Sequence, residues 1–142
     1  MIKTTLVKTP TGAKPITELH EGDLVCNEFG KPVAVRQVVA RGKEPVVDIL
    51  VSGQTWVTCA KESRWLVKEP CGPRQAIMEI KKVSDFTPSN RVLTVMEGRP
   101  FGFGFSVAIG ADDGREEDTF GIDVDSETHL YQLDNGLVAH SY

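Results

Sequence analysis

Residues 128–142 read THLYQLDNGLVAHSY. Two runs of alternating and β-branched residues, THLYQL and LVAHSY, flank Asp134-Asn135-Gly136. Asn-Gly suits the positive backbone angles of a tight hairpin turn, so the chain is expected to close on a β-hairpin. Chain ends usually fray. Here the end is written as a strand, and the question becomes what it pairs with.

Working back from this hairpin, turn signals recur throughout the chain. They stand at Thr11-Gly12, Glu21-Gly22-Asp23, Phe29-Gly30-Lys31-Pro32, Arg41-Gly42, Ser52-Gly53, Pro70-Cys71-Gly72-Pro73 and Thr87-Pro88-Ser89-Asn90. Short runs rich in Val, Ile, Leu and Thr lie between them: TTLVKT, DLVCNE, QTWVTCAKESRWLVKE, RVLTVMEG and TFGIDVD. PVAVRQVVARG and EPVVDILVSG read as a hairpin about Gly42. Strands at this spacing point to an all-β fold. Helical periodicity is weak: PITELHEG fits one helical turn, and QAIMEIKKV fits either a helical turn or a strand. Trp56 and Trp65 are expected in or half within the core.

Composition bounds the function. The 142 residues carry a formal net charge of -4, with 40% hydrophobic and 25% charged residues. That suits one globular domain spanning 1–142. The basic residues are scattered, with no run longer than Lys81-Lys82, which argues against nucleic acid as a partner. No apolar run reaches membrane length, and Met1-Ile2-Lys3 opens no leader pattern, so the expectation is a cytoplasmic protein with no membrane partner. Three cysteines, Cys26, Cys59 and Cys71, form no metal-ligand spacing and read as reduced thiols. No cofactor and no metal are expected.

One segment breaks the pattern. Residues 97–118 read EGRPFGFGFSVAIGADDGREED. Phe101, Phe103 and Phe105 alternate with glycines, as on a strand approached closely by other backbone. The acidic half, GADDGREED, reads as a loop with too little apolar surface to order itself. It lacks the spaced ligands and terminal Glu of a calcium loop.

The first third, TTLVKTPTGAKPITELHEGDLVCNEFGKPVAVRQVVARG, resembles the opening of an intein, or Hint-fold, domain. VTCAKESRWLV resembles that family's next block, and FGIDVDSETHLYQLDNGLVAHS its two C-terminal blocks, in the style of inteins from phage genes. The resemblance covers residues 4–95 and 119–141. It implies an all-β horseshoe-like disk with pseudo-twofold symmetry, whose two chain ends share one cleft. Larger inteins carry an endonuclease near 97–118, where VAIGADDG resembles a decayed remnant and the segment is too short for more.

The resemblance also implies a chemistry. A Cys, Ser or Thr at the first position attacks the preceding carbonyl, a block-two His protonates the leaving nitrogen beside a Thr, and a terminal Asn cyclises. The nucleophile falls at or just before Met1. The block-two Thr aligns with Ala60 and its His with Ser63, and the terminal Asn aligns with Ser141, or is deleted if Ser141 is the residue after the splice point. Only His129 and His140 match the assisting histidines. Each missing catalytic group costs about two to four orders of magnitude in rate.

The expectation is therefore a splicing-inactive, free-standing binding module, such as a phage accessory protein that engages a host protein or small molecule. Its cleft or surface patch would use Cys59, Phe101, Phe103 and Phe105, together with the vestigial positions. Two alternatives stay open: a true mini-intein in inactivated or truncated form, and a structural subunit of an assembly. A homo-oligomer is left open too.

Overall fold

The computed structural model describes residues 1–51, 55–73, 75–95, 103–110 and 113–141, without the side chains of 55, 70, 71, 94 and 103–106. The architecture is antiparallel β throughout. Strands β1 (Leu6–Thr9) and β2 (Gly12–Pro15) form a hairpin, and a single 3-10 turn over Ile16–Glu18 realises PITELHEG. β3 (Leu24–Cys26) then turns into β4 (Pro32–Val51). The Asn27 side chain closes that turn: its Oδ1 accepts from the N–H groups of Phe29 and Lys31, both at 2.9 Å.

β4 is the spine of the fold. It runs unbroken for 20 residues, so the hairpin expected about Gly42 does not form. The turn signal has another use. Opposite β10 (Glu116–Val124), the register jumps from Thr119↔Gly42 to Phe120↔Ala40, leaving Arg41 as an extra residue. Gly42 absorbs this bulge at φ 76°. A bulge of this kind bends and twists a strand without reversing it. The bend lets one strand pair with β3 at its start, with β10 along its middle, and with β5 (Thr55–Ala60) and β9 (Phe103–Ile109) at its end.

The second half continues the sheet. β6 (Arg64–Gly72) pairs along its length with β7 (Gln75–Lys82), so QAIMEIKK is strand and not helix. A 3-10 turn over Val83–Asp85 leads to β8 (Arg91–Thr94), which lies between β6 and β9. The FGFGF segment thus enters the sheet from Phe103 onward. The acidic segment expected as loop is strand from Glu116, where Glu116, Glu117 and Asp118 pair with Pro45, Glu44 and Lys43.

The chain closes as its last residues foretold. β11 (Leu130–Gln132) and β12 (Val138–His140) are antiparallel partners, and Ala139 of β12 pairs with Trp65 of β6. The turn differs in detail from the Asn-Gly expectation. Only Gly136 takes a positive φ, 86°, while the Asn135 side chain accepts from the Leu137 N–H at 3.1 Å. This is the geometry of a turn ending in a glycine bulge.

The main core gathers Val7, Ile16, Ile49, Trp65, Ile122 and Tyr131, all buried. Trp56, in contrast, is 61% exposed. It sits opposite Leu50 in the β4–β5 pair, and its ring lies 3.8 Å from where a Cβ on Gly110 would stand. A polar girder ties the β3–β4 turn to the C-terminal hairpin: Gln132 Nε2 donates to Asn27 O at 2.7 Å, and Thr128 Oγ1 donates to buried Glu28 at 2.6 Å. Among the described residues, no helix is long and apolar enough to cross a membrane.

Candidate functional site

The two chain ends meet. A cleft of about 250 Å³ is walled by Met1, Ala60, Ser63, Arg64, Thr119, Phe120, Gly121, Tyr131 and His140, with Arg41, Glu44, Glu62 and Lys82 at its edge. Each wall has a local cause. Met1 is clamped to β10: its amine donates to Phe120 O at 2.7 Å, and the Phe120 N–H donates to Met1 O at 2.6 Å. Burial holds that amine below its ordinary pKa, because removal from water disfavours the charged form.

Ala60 and Ser63 bracket the turn from β5 into β6. The Ser63 N–H donates to Ala60 O at 2.9 Å, and Ser63 O accepts from Val83 at 3.0 Å. This fixes the Ser63 side chain against the cleft. Two ion pairs, Arg41–Glu44 at 2.6 Å and Lys82–Glu62 at 2.7 Å, line the rim. Such exposed pairs contribute little to stability, and they leave the rim polar.

His140 ends β12. Its Nδ1 lies 2.6 Å from Ser141 O. A carbonyl oxygen can only accept, so Nδ1 carries the proton and the Nε2 lone pair is left available. Burial is the largest influence on this ring and lowers its pKa; the Ser141 contact opposes that, and the neighbouring His129 and Arg64 reinforce it. Neutral imidazole is therefore favoured at physiological pH. Ser141 is buried; its Oγ accepts from the Val124 N–H at 3.2 Å, and its own N–H donates to His129 O at 2.8 Å.

His129 stands behind this cluster. It adopts φ 56°, an uncommon angle for a residue other than glycine. Its N–H donates to Ser126 Oγ at 3.1 Å, its Nδ1 lies 3.4 Å from Asp123 Oδ1, and its ring centroid is 6.1 Å from that of His140. The two histidines matched by resemblance are neighbours, but only His140 faces the cleft.

The sequence-derived site is otherwise redistributed. Ala60, Ser63 and His140 come together with Met1 in one cleft. Cys59 lies behind this wall, beside the Ser63 side chain and the Met1 amine, and does not line the cleft itself. The alternation of β5 turns its side chain inward next to Ala60, where it is fully buried in the core, and burial pushes its thiol up to about 12. Phe101 and the side chains of Phe103 and Phe105 lie outside the described residues. Sequence reasoning missed Arg64, Tyr131, Gly121 and Asp123. Tyr131 and Asp123 each carry a signal, one as a polar aromatic inside an apolar strand and the other as an acid near the paired histidines. Among the described residues, no group of three His, Cys, Asp or Glu side chains is placed to hold a metal.

No protein-family profile matches the chain, and no curated protein does. Solved structures do match. A DnaB intein from Synechocystis sp. PCC 6803 superimposes with a TM-score of 0.79 at 14% identity, covering 100% of this chain and 97% of that one. The MchDnaB-1 intein gives 0.73 at 18% identity, covering 99% and 98%. The gp41-1 intein gives 0.71 at 19% identity, covering 99% and 96%. At such identities the likeness speaks for the fold, and it spans the chain from end to end: this protein has the intein, or Hint, fold.

Proposed function

We propose that the chain is a splicing-inactive Hint-fold protein whose cleft holds a ligand without covalent chemistry. The observation that supports this is the content of the cleft. Ala60, Ser63 and His140 line this wall, and the sequence resemblance aligns them with the family's Thr, its proton-donating His and its assisting His. Ala60 has no hydroxyl, and the Ser63 hydroxyl does not titrate near neutrality. Ser141, at the terminal Asn position, has no amide to cyclise and its Oγ is already engaged by Val124. What is left is a concave site with a polar rim, the ordinary form of a binding pocket. A phage-derived accessory protein acting in the cytoplasm of an infected cell, on a host protein or a small molecule, fits this reading.

The test fills the cleft. Ser63→Trp projects an indole into it while leaving the β5–β6 turn hydrogen bonds, which are backbone, in place. Wild type and variant are screened by thermal shift against metabolites, nucleotides and short peptides. A compound that raises the melting temperature of wild type and not of the variant supports the reading, since binding to the native state stabilises it. Ligands that stabilise both equally, or none at all, contradict it.

One observation favours a second reading. The chain ends share a cleft, as a splicing domain requires of its two junctions, so a mini-intein carried in an inactivated form predicts the same architecture. The two readings part when flanking residues are attached.

A further inference from the structure

The β6–β7 hairpin carries an unguarded edge. Among the described residues, β7 pairs with β6 on one side and with no strand on the other. Ile77 and Met78 are each 55% exposed and Ile80 38%, an unusual load of apolar side chain on an open strand. Proteins commonly guard such edges with lysines or proline. β7 has no proline, and both of its lysines are drawn back onto the chain. Lys81 reaches Glu79 at 3.4 Å, Glu69 at 3.7 Å and Asn90 Oδ1 at 3.3 Å, while Lys82 is paired with Glu62 at 2.7 Å.

We propose that the free edge of β7 is a dimer seam, at which a second copy of this chain adds its own β7 in antiparallel register with Ile80 opposite Ile80. A two-fold axis normal to the sheet demands antiparallel pairing and passes midway between a residue and its own copy. The permitted registers therefore centre on single residues. Centring on Glu79 sets Glu79 against Glu79, and centring on Lys81 sets Lys81 against Lys81; both oppose like charges directly. Centring on Met78 sets Glu79 against Ile77. Centring on Ile80 sets Glu79 against the partner's Lys81 twice over, Ile80 against itself, and Met78 against the aliphatic stem of Lys82. Charge complementarity selects this last register. The seam touches the cleft rim only at Lys82, and its test stands or falls without the cleft reading.

The test uses the charge pairing. Wild type, Glu79→Lys and Lys81→Glu are compared by light scattering after size exclusion across a concentration series, with circular dichroism confirming the β signal of each. Wild type is expected at twice the chain mass of 15.6 kDa and each variant at the single mass. An equimolar mixture of the two variants regains the doubled mass, because positions 79 and 81 of one chain then face opposite charges on the other. Wild type at the single mass at every concentration overturns the proposal. So does a dimer that survives both substitutions, or a pair of folded variants whose mixture stays monomeric. Amide exchange on wild type gives a reading independent of any variant: protection across residues 76–82 rises with concentration, and unchanged protection overturns the seam.

Discussion

Met1 and Phe120 are hydrogen-bonded to each other in both directions, amine to carbonyl at 2.7 Å and amide to carbonyl at 2.6 Å. The bridge between Ile2 and Thr119 continues the same contact. The start of the chain is thus a short extra strand on β10, whose next residues reach Val124 and, through it, the Ser141 hydroxyl. One strand holds both ends, and this is how a cleft comes to lie between residues so far apart in sequence.

The two tryptophans separate core from surface. Trp65 is fully buried and is the largest such side chain, whereas Trp56 is mostly exposed. Trp65→Ala is expected to cost about 3–5 kcal/mol, the usual range for deleting a buried aromatic. Trp56→Ala should stay within about 1 kcal/mol. Urea denaturation monitored by circular dichroism measures both. Comparable losses would contradict the placement of the core.

His140 gives stability a pH slope. Burial lowers its folded pKa below the unfolded value of 6.5. For a base this means the unfolded chain binds the proton more readily, so stability falls as pH drops through 6.5 toward the folded pKa and is regained above 6.5. His140→Gln removes that component. Denaturation midpoints between neutral pH and pH 5 should fall less steeply for the variant than for wild type. Parallel slopes would show that His140 is not desolvated as described.

Much of this was legible beforehand, and the failures are instructive. The closing hairpin was readable because Asn135-Gly136 sits between two alternating runs. Gly42 misled because a glycine in a strand can serve a bulge as well as a turn, and only the pairing of β10 across it decides. GADDGREED read as a loop from its charge. Glu116, Glu117 and Asp118 are strand because β4 offers a partner there, and exposed strand positions tolerate acids. Ala60, Ser63 and His140 were gathered by the order of family blocks. Arg64 and Tyr131 were not, since local sequence says nothing of which side chains meet across a cleft. Cys59 sits one layer behind the cleft wall, because strand alternation turns its side chain into the core beside Ser63 and Met1.

Gly136 is a point of no substitution. A Cβ there would stand 2.3 Å from the Val95 carbonyl oxygen, at a φ of 86°. The backbone is fixed, since Val95 N–H donates to Gly136 O at 2.7 Å. Gly136→Ala is expected to destabilise by at least about 2 kcal/mol, combining left-handed strain with displaced backbone. Asn135→Ala, which loses one side-chain hydrogen bond, should cost about 1 kcal/mol. Thermal unfolding ranks the two, and the reverse order would refute the turn geometry.

The thiols should be inert while the protein is folded. Cys26 and Cys59 are buried, and burial raises the pKa of both. Reactivity follows the thiolate. In a Cys71→Ser background, a thiol reagent at pH 8 should label neither residue in native buffer and both in denaturant. Prompt labelling of Cys59 in native buffer would return it to the cleft.

The central claim is that the cleft retains its shape without the chemistry of splicing, and intact mass spectrometry tests it most directly. The chain is prepared with a short peptide bearing a cysteine before Met1 and another peptide after Tyr142, then incubated for days with and without thiol. The account predicts one unchanged mass throughout. Free flanking peptide, or a product in which the two flanks are joined, would contradict it.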